Sequence, residues 1–213
     1  MPGPQRDAAR TRRTLLSTAA RVIAEHGAGV SLDLVAREAD VSKGGLLHHF
    51  PSREALLLGL VEHLVEEFDA AVARALDPAD TAPGRFARAW IRSIFEDLSD
   101  SKLAHERATL VGILGTVPEV VRRIHEEGER WSQRLAQDGL DAQRVVLITR
   151  ACDGATMASL FQRQLGTREL TEERDLLLAL TRETGPLVDV STGAPPRRAA
   201  PGAKQRTSRG QKS

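Results

Sequence analysis

Apolar residues return at intervals of three and four along most of the first 180 positions, the pattern of helices with one buried face, and strand-like alternation is nearly absent. Leu15, Ala19, Val22 and Ile23 share one face of a first helix over roughly 10–26, and Gly27 stands where a left-handed residue would close it. Ser31 is placed to cap a second helix that carries Asp33, Leu34, Val35 and Ala36 and runs to Ala39, and Ser42 to cap a third that ends near Phe50. Pro51 breaks the chain and Ser52 caps once more. Leu57, Leu60, Val61, Leu64 and Phe68 then mark a helix over 53–76, about 36 Å long, which Asp77 and Pro78 stop.

The remaining pattern is helical too. A row of Phe86, Trp90, Ile94 and Leu98 predicts a helix over 85–99, another follows over 102–115, and Pro118 opens a third carrying Val121, Ile124, Trp131 and Leu135. The segments 141–165 and 171–183 are apolar over broad faces, as helices packed on more than one side are. No internal repeat is present.

Composition agrees with an all-α protein: hydrophobic residues make up 41% of 213, aromatics only 3%, and tyrosine is missing. Charge is unevenly spread. Residues 1–60 hold eight basic and six acidic residues, 61–190 hold 16 basic and 23 acidic, and 191–213 hold six basic and none acidic. A basic end suits a nucleic-acid partner. The sequence STGAPPRRAAPGAKQRTSRGQKS reads as a disordered basic tail over 191–213, and residues 1–9 as a flexible arm. The one cysteine, Cys152, makes no internal disulfide, and no run of about 18 apolar residues spans a bilayer, so a cytoplasmic location with no membrane partner is expected.

Residues 31–50 form two short helices around a tight turn, the helix-turn-helix pattern. Ala36 is small where the two helices cross, and Asp40 is one of the few non-glycine residues that tolerate a left-handed backbone. Gly44 and Gly45 are costly in a helix, about 1 kcal/mol each relative to alanine. Their place on the first turn of the third helix suggests close backbone approach to DNA.

The run SLDLVAREADVSKGGLLHHFPSREALL resembles the N-terminal DNA-binding domain of the TetR/AcrR family of transcriptional regulators, in its Val-Ser-Lys-Gly start and its His-Phe-Pro-Ser junction. The resemblance covers about residues 10–60, with the helix-turn-helix at about 31–50. Over 61–190 it rests on the helical layout and on Asp153-Gly154. It implies DNA contacts from Ser31, Arg37, Ser42, Lys43, Gly44, Gly45, His48 and Arg53. Two departures stand out: many relatives have Thr at the place of Gly45 and Tyr at that of Leu47. Leu46, Leu47 and Phe50 are expected in the core, with His49 packed at the helix end.

Residues 61–190 resemble the family's ligand-binding and dimerisation domain. Phe86, Trp90, Phe95, Trp131, Met157 and Phe161 are the large soft side chains available for an apolar cavity, with His105, Asp153 and Gln162 to orient a ligand. A homodimer is expected through the last two helices, with the small residues Ala151, Ala155, Ala158 and Ser159 and the apolar Leu176, Leu177 and Leu180 at the contact.

The function implied is a ligand-responsive repressor that binds a palindromic operator as a homodimer and is released by a small apolar or planar effector. Two alternatives remain at this level: a constitutive or protein-controlled DNA-binding regulator, and a small helical enzyme. Adjacent His48 and His49 lack the spacing of a two-histidine metal site, and no phosphate loop or nucleophile elbow is present. No catalytic residue, metal or cofactor is expected.

Overall fold

The computed structural model describes residues 4–27, 29–161 and 166–189. Among them the secondary structure is nine α-helices and no strand: α1 Pro4–His26, α2 Leu32–Glu38, α3 Lys43–His49, α4 Arg53–Ala75, α5 Arg85–Ser99, α6 Ser101–Leu114, α7 Pro118–Ala136, α8 Ala142–Phe161 and α9 Thr167–Leu180. The tail over 191–213 and Gln162 lie outside the described residues.

Local chemistry sets the first four helices. Gly27 is left-handed, at φ +80°, and its N–H donates to the Ile23 carbonyl at 2.8 Å. The Ser31, Ser42 and Ser52 hydroxyls accept from the N–H of Leu34, Gly45 and Ala55 at 3.2, 3.0 and 3.1 Å, each satisfying an otherwise unpaired donor. Asp40 makes the turn at φ +54°. The first helix starts earlier than its apolar row, at Pro4, so residues 4–9 are helical where an arm was expected. Proline suits a first helical position, and Asp7 in the first turn favours the start.

Distant partners set other boundaries. The N-terminus of α5 is capped by the Asp138 carboxylate, which accepts from the N–H of Phe86 and Ala87 at 3.0 and 2.7 Å. The last helix spans Thr167–Leu180, where 171–183 was expected. Its start is set by the Glu169 carboxylate, which accepts from the Gly166 N–H at 3.0 Å. Its end is set by Arg144, which donates to the Leu180 carbonyl at 2.8 Å and to that of Gly185 at 2.5 Å.

Two apolar cores result. The first gathers α1 to α4 around Leu15, Leu16, Leu46, Phe50, Leu57 and Leu60, and takes in Leu110 and Leu114 of α6 and Val120 of α7. The second gathers α5, α8, α9 and the far end of α4 around Phe86, Trp90, Ile91, Phe95, Ile148 and Leu177. Helix α6 belongs to both, since Ala104 near its start lies in the second core. Gly59 lets α4 close on the first core: a Cβ there would stand 2.7 Å from the Phe50 ring.

Candidate DNA-binding face and effector cavity

Helix α3 divides cleanly into two faces. Leu46 and Phe50, four residues apart, point into the first core, while Lys43, Gly44, Leu47 and His48 face outward with Ser31, Arg37 and Ser42 near them in sequence. Leu47 corrects the expectation of a core residue: it is 36% exposed, because its neighbour Leu46 already holds the inward direction. His49 is half-buried, its ring 6.5 Å from that of Phe50, and burial first, then the His48 and Arg12 charges, hold its pKa below the usual histidine value. The Lys43 ammonium lies 3.0 Å from the Asp33 carboxylate, an exposed pair joining α2 to α3.

The two adjacent glycines have different reasons. A Cβ on Gly45 would stand 2.9 Å from Val41 Cγ1 and 3.2 Å from the capping Ser42 hydroxyl, so the turn itself disfavours a side chain there. Gly44 would meet nothing within 4 Å. Its absence of a side chain serves no contact inside the described chain.

Beside the second core lies a cavity of about 450 Å³, open on one side. Phe68 of α4 and Trp90, Ile94 and Leu98 of α5 form one side. Ala104, Arg107, Ala108 and Val111 of α6 form another, and Trp131 and Leu135 of α7 with Thr149, Asp153 and Met157 of α8 complete it. Val111, Gly128, Thr156 and Met157 are exposed lining residues and mark its mouth. Both tryptophans of the chain thus line the cavity.

One ion pair is set in this wall. The Arg107 guanidinium donates to the Asp97 carboxylate and lies 3.7 Å from Glu67 of α4. Burial raises the Asp97 pKa above the ordinary carboxylate range against the opposing pull of Arg107. Trp131 is gripped from behind by Phe86, stacked at 5.8 Å, and by Arg134, 5.2 Å from its ring.

Of the expected ligand residues, Trp90, Trp131, Asp153 and Met157 line the cavity. Phe86 does not; it backs Trp131. Phe95 is buried in the second core near Arg92 and Arg174, and His105 lies on the exposed face of α6, one step round from Ala104. Phe161 ends α8 with its side chain outside the described residues, as is Gln162 altogether. Phe68, Asp97 and Arg107 were not singled out from sequence. Phe68 sits in the apolar row of α4 and carried the signal only of a packed helix.

The expected dimer contact turns as well. Ala155 (4% exposed) and Leu177 (5%) lie in the chain's own core, Ala151 and Leu180 pack partly against it, Ala158 is half-buried, and Ser159 lines the cavity. A periodic run of small residues fits a close neighbour in the same chain as well as one in a partner. Among the described residues, the exposed large apolar side chains of α8 and α9 are Val146, Leu147 and Leu176, the last 68% exposed, together with Met157 at the cavity mouth.

The family model for bacterial regulatory proteins of the tetR family matches residues 15–60, and that for the tetracyclin repressor-like C-terminal domain matches residues 84–182. The HTH-type transcriptional regulator EthR of Mycolicibacterium smegmatis is 30% identical over 183 residues, 85% of this chain and 77% of the relative. EthR of Mycobacterium tuberculosis is 28% identical over 172 residues, 79% of this chain and 75% of the relative. Among solved structures, a transcriptional regulator from Rhodococcus sp. superposes with a TM-score of 0.66 at 21% identity, over 80% of this chain and 95% of that one. The multidrug binding protein EbrR complexed with malachite green superposes with a TM-score of 0.63 at 25% identity, over 80% of this chain and 97% of that one.

Proposed function

The chain belongs to the TetR family of transcriptional regulators, and from that premise we propose that it is a ligand-responsive repressor, a homodimer that holds a palindromic operator and releases it when a small apolar or planar molecule enters the cavity. The family is one of regulators and not of enzymes, which removes the enzyme alternative.

The observation that carries this reading is the double membership of α6. Ala104, Arg107, Ala108 and Val111 wall the cavity, while Leu110 and Leu114 of the same helix are packed into the core of the helix-turn-helix unit. Protein cores are close-packed and do not deform continuously, so a ligand that fills the cavity biases α6 and α4 together. Induction requires that the ligand bind the DNA-incompetent arrangement more tightly, and a coupling of about 1 to 3 kcal/mol weakens operator affinity roughly 5- to 150-fold. Two tryptophans, Phe68 and Met157 favour an aromatic or planar effector. The malachite green bound by EbrR is such a molecule, which supports this choice.

On the DNA side, Lys43 and Arg53 hold phosphates together with Ser31, Arg37, Ser42 and His48, and Gly44 admits the backbone of α3 to the groove. Dimerisation through Val146, Leu147 and Leu176 sets the two recognition helices about one turn of DNA apart, roughly 34–36 Å or a little more. The test is transcription in a purified system from a promoter carrying a duplex selected by this protein from randomised DNA. The reading expects transcription to fall when the protein is added and to recover with planar aromatic compounds. Binding without any recovery across a broad compound set would favour the constitutive regulator.

A further inference from the structure

Leu47 is the exposed large apolar side chain of the helix-turn-helix unit: among the described residues up to 60, no other stands out of the core to this degree. It projects from the same face of α3 as Lys43 and Gly44, at spacings of four and three, with His48 beside it. The inward direction of the helix is already filled by Leu46 and Phe50. Leu47 is therefore held less tightly by the fold than Leu46 and Phe50, and it lies on the face expected to meet DNA.

We propose that Leu47 reads the 5-methyl group of one thymine in each half-site of the operator, an inference that rests on the DNA-binding reading above. A leucine side chain neither donates nor accepts hydrogen bonds, so it cannot read the polar pattern of a base edge. The thymine methyl is the one apolar feature that the bases present in the major groove. Gly44 makes the approach feasible. One turn before Leu47 on the same face, it has no side chain, and a Cβ there would meet nothing within 4 Å. The helix backbone can come close to the groove floor at Gly44, which carries the Leu47 methyl groups down to the base edges.

The surroundings favour this occupant over a protein partner. An apolar patch for protein docking is several residues wide. Here a single leucine is framed by Lys43, Ser42 and His48, polar or cationic groups suited to a phosphate-flanked groove. Leu47 is thus a specificity residue, and the phosphate contacts around it position the helix without reading sequence.

The test uses the full chain and duplexes it selects from a randomised pool. Each thymine of a selected duplex is replaced singly by deoxyuridine, which removes only the methyl group. One thymine in each half-site should then weaken binding about fourfold, and both together about 15-fold, the scale of one buried methyl per site. Leu47→Ala should bind the thymine and deoxyuridine duplexes equally, with a melting temperature lowered by only a few degrees and an unchanged slope of affinity against salt. Tolerance of deoxyuridine at every position would overturn the proposal, as would a thymine preference that persists in Leu47→Ala. If no sequence is enriched at all, the DNA-binding reading falls and takes this one with it, whereas an enriched sequence without a methyl effect removes only the role of Leu47.

Discussion

The Phe68 ring meets the Trp131 indole edge-on, with centroids 5.3 Å apart and planes at 69°. Phe68 lies on α4, the helix that begins in the DNA-binding unit, and Trp131 lines the cavity. Its neighbours on α4 grip other helices: Glu67 is 3.7 Å from Arg107 of α6, and Asp69 is 2.7 Å from Arg130 of α7. One turn of the long helix thus touches α6 once and α7 twice, and two of those partners, Arg107 and Trp131, line the cavity.

Phe68→Ala should uncouple the cavity from the DNA. The ring is half-buried, so the stability cost is expected at about 2 kcal/mol, below that of a fully buried phenylalanine. Ligand quenching of tryptophan fluorescence should persist, while ligand-driven loss of operator affinity shrinks severalfold. Parallel fluorescence and DNA-binding titrations on the variant check this.

The dimer contact can be separated from the core by a pair of variants. Leu147→Arg, on the outward face, should give a folded monomer of near-normal helix content that binds the operator poorly. Ala155→Arg should lose the fold, because Ala155 is buried against its own chain and an unpaired charge there is expensive. Sedimentation and circular dichroism distinguish the two; a folded Ala155→Arg dimer would contradict the packing described.

Salt dependence tests the DNA docking. Losing Lys43 or Arg53 should weaken binding to all duplexes and reduce the salt slope by about one per contact in each subunit. Asp33 points the other way. It pairs with Lys43 in the free protein, so Asp33→Asn should free the ammonium, remove a negative charge from the face and tighten non-specific binding a few-fold.

Cys152 supplies a pH signature. It is buried in the second core, and burial first, then Asp153 and Glu173, push its thiol up to about 12 from 9.0. Between those values the folded chain keeps a proton that the unfolded chain releases, so stability should fall as pH rises through that window. Cys152→Ala should flatten this slope in chemical denaturation, and native Cys152 should resist alkylation at pH 8 until the chain is unfolded.

How far the chain could be read from sequence follows from the range of the interactions. The Ser31, Ser42 and Ser52 caps and the left-handed Gly27 and Asp40 involve residues within four positions, and each is visible in the sequence. The Asp138 cap on α5, the Gly59 contact with Phe50 and the Asp97–Arg107 pair join residues 9 to 52 positions apart, which no local pattern encodes. Leu47 and Ala155 show a second limit. Helical period places a residue on a face, but two adjacent leucines or a run of alanines do not say which face meets the same chain.

The central claim is that filling the cavity loosens the grip on DNA. The chain's two tryptophans, Trp90 and Trp131, both line the cavity, so its intrinsic fluorescence reports occupancy directly. The decisive measurement follows fluorescence and binding to a selected operator duplex in one titration with planar aromatic compounds. The account predicts that operator affinity falls in step with tryptophan quenching and levels off roughly 5- to 150-fold weaker at saturation. Saturated quenching with operator affinity unchanged, together with Trp90→Ala and Trp131→Ala proteins that still respond fully to a true inducer, would contradict it.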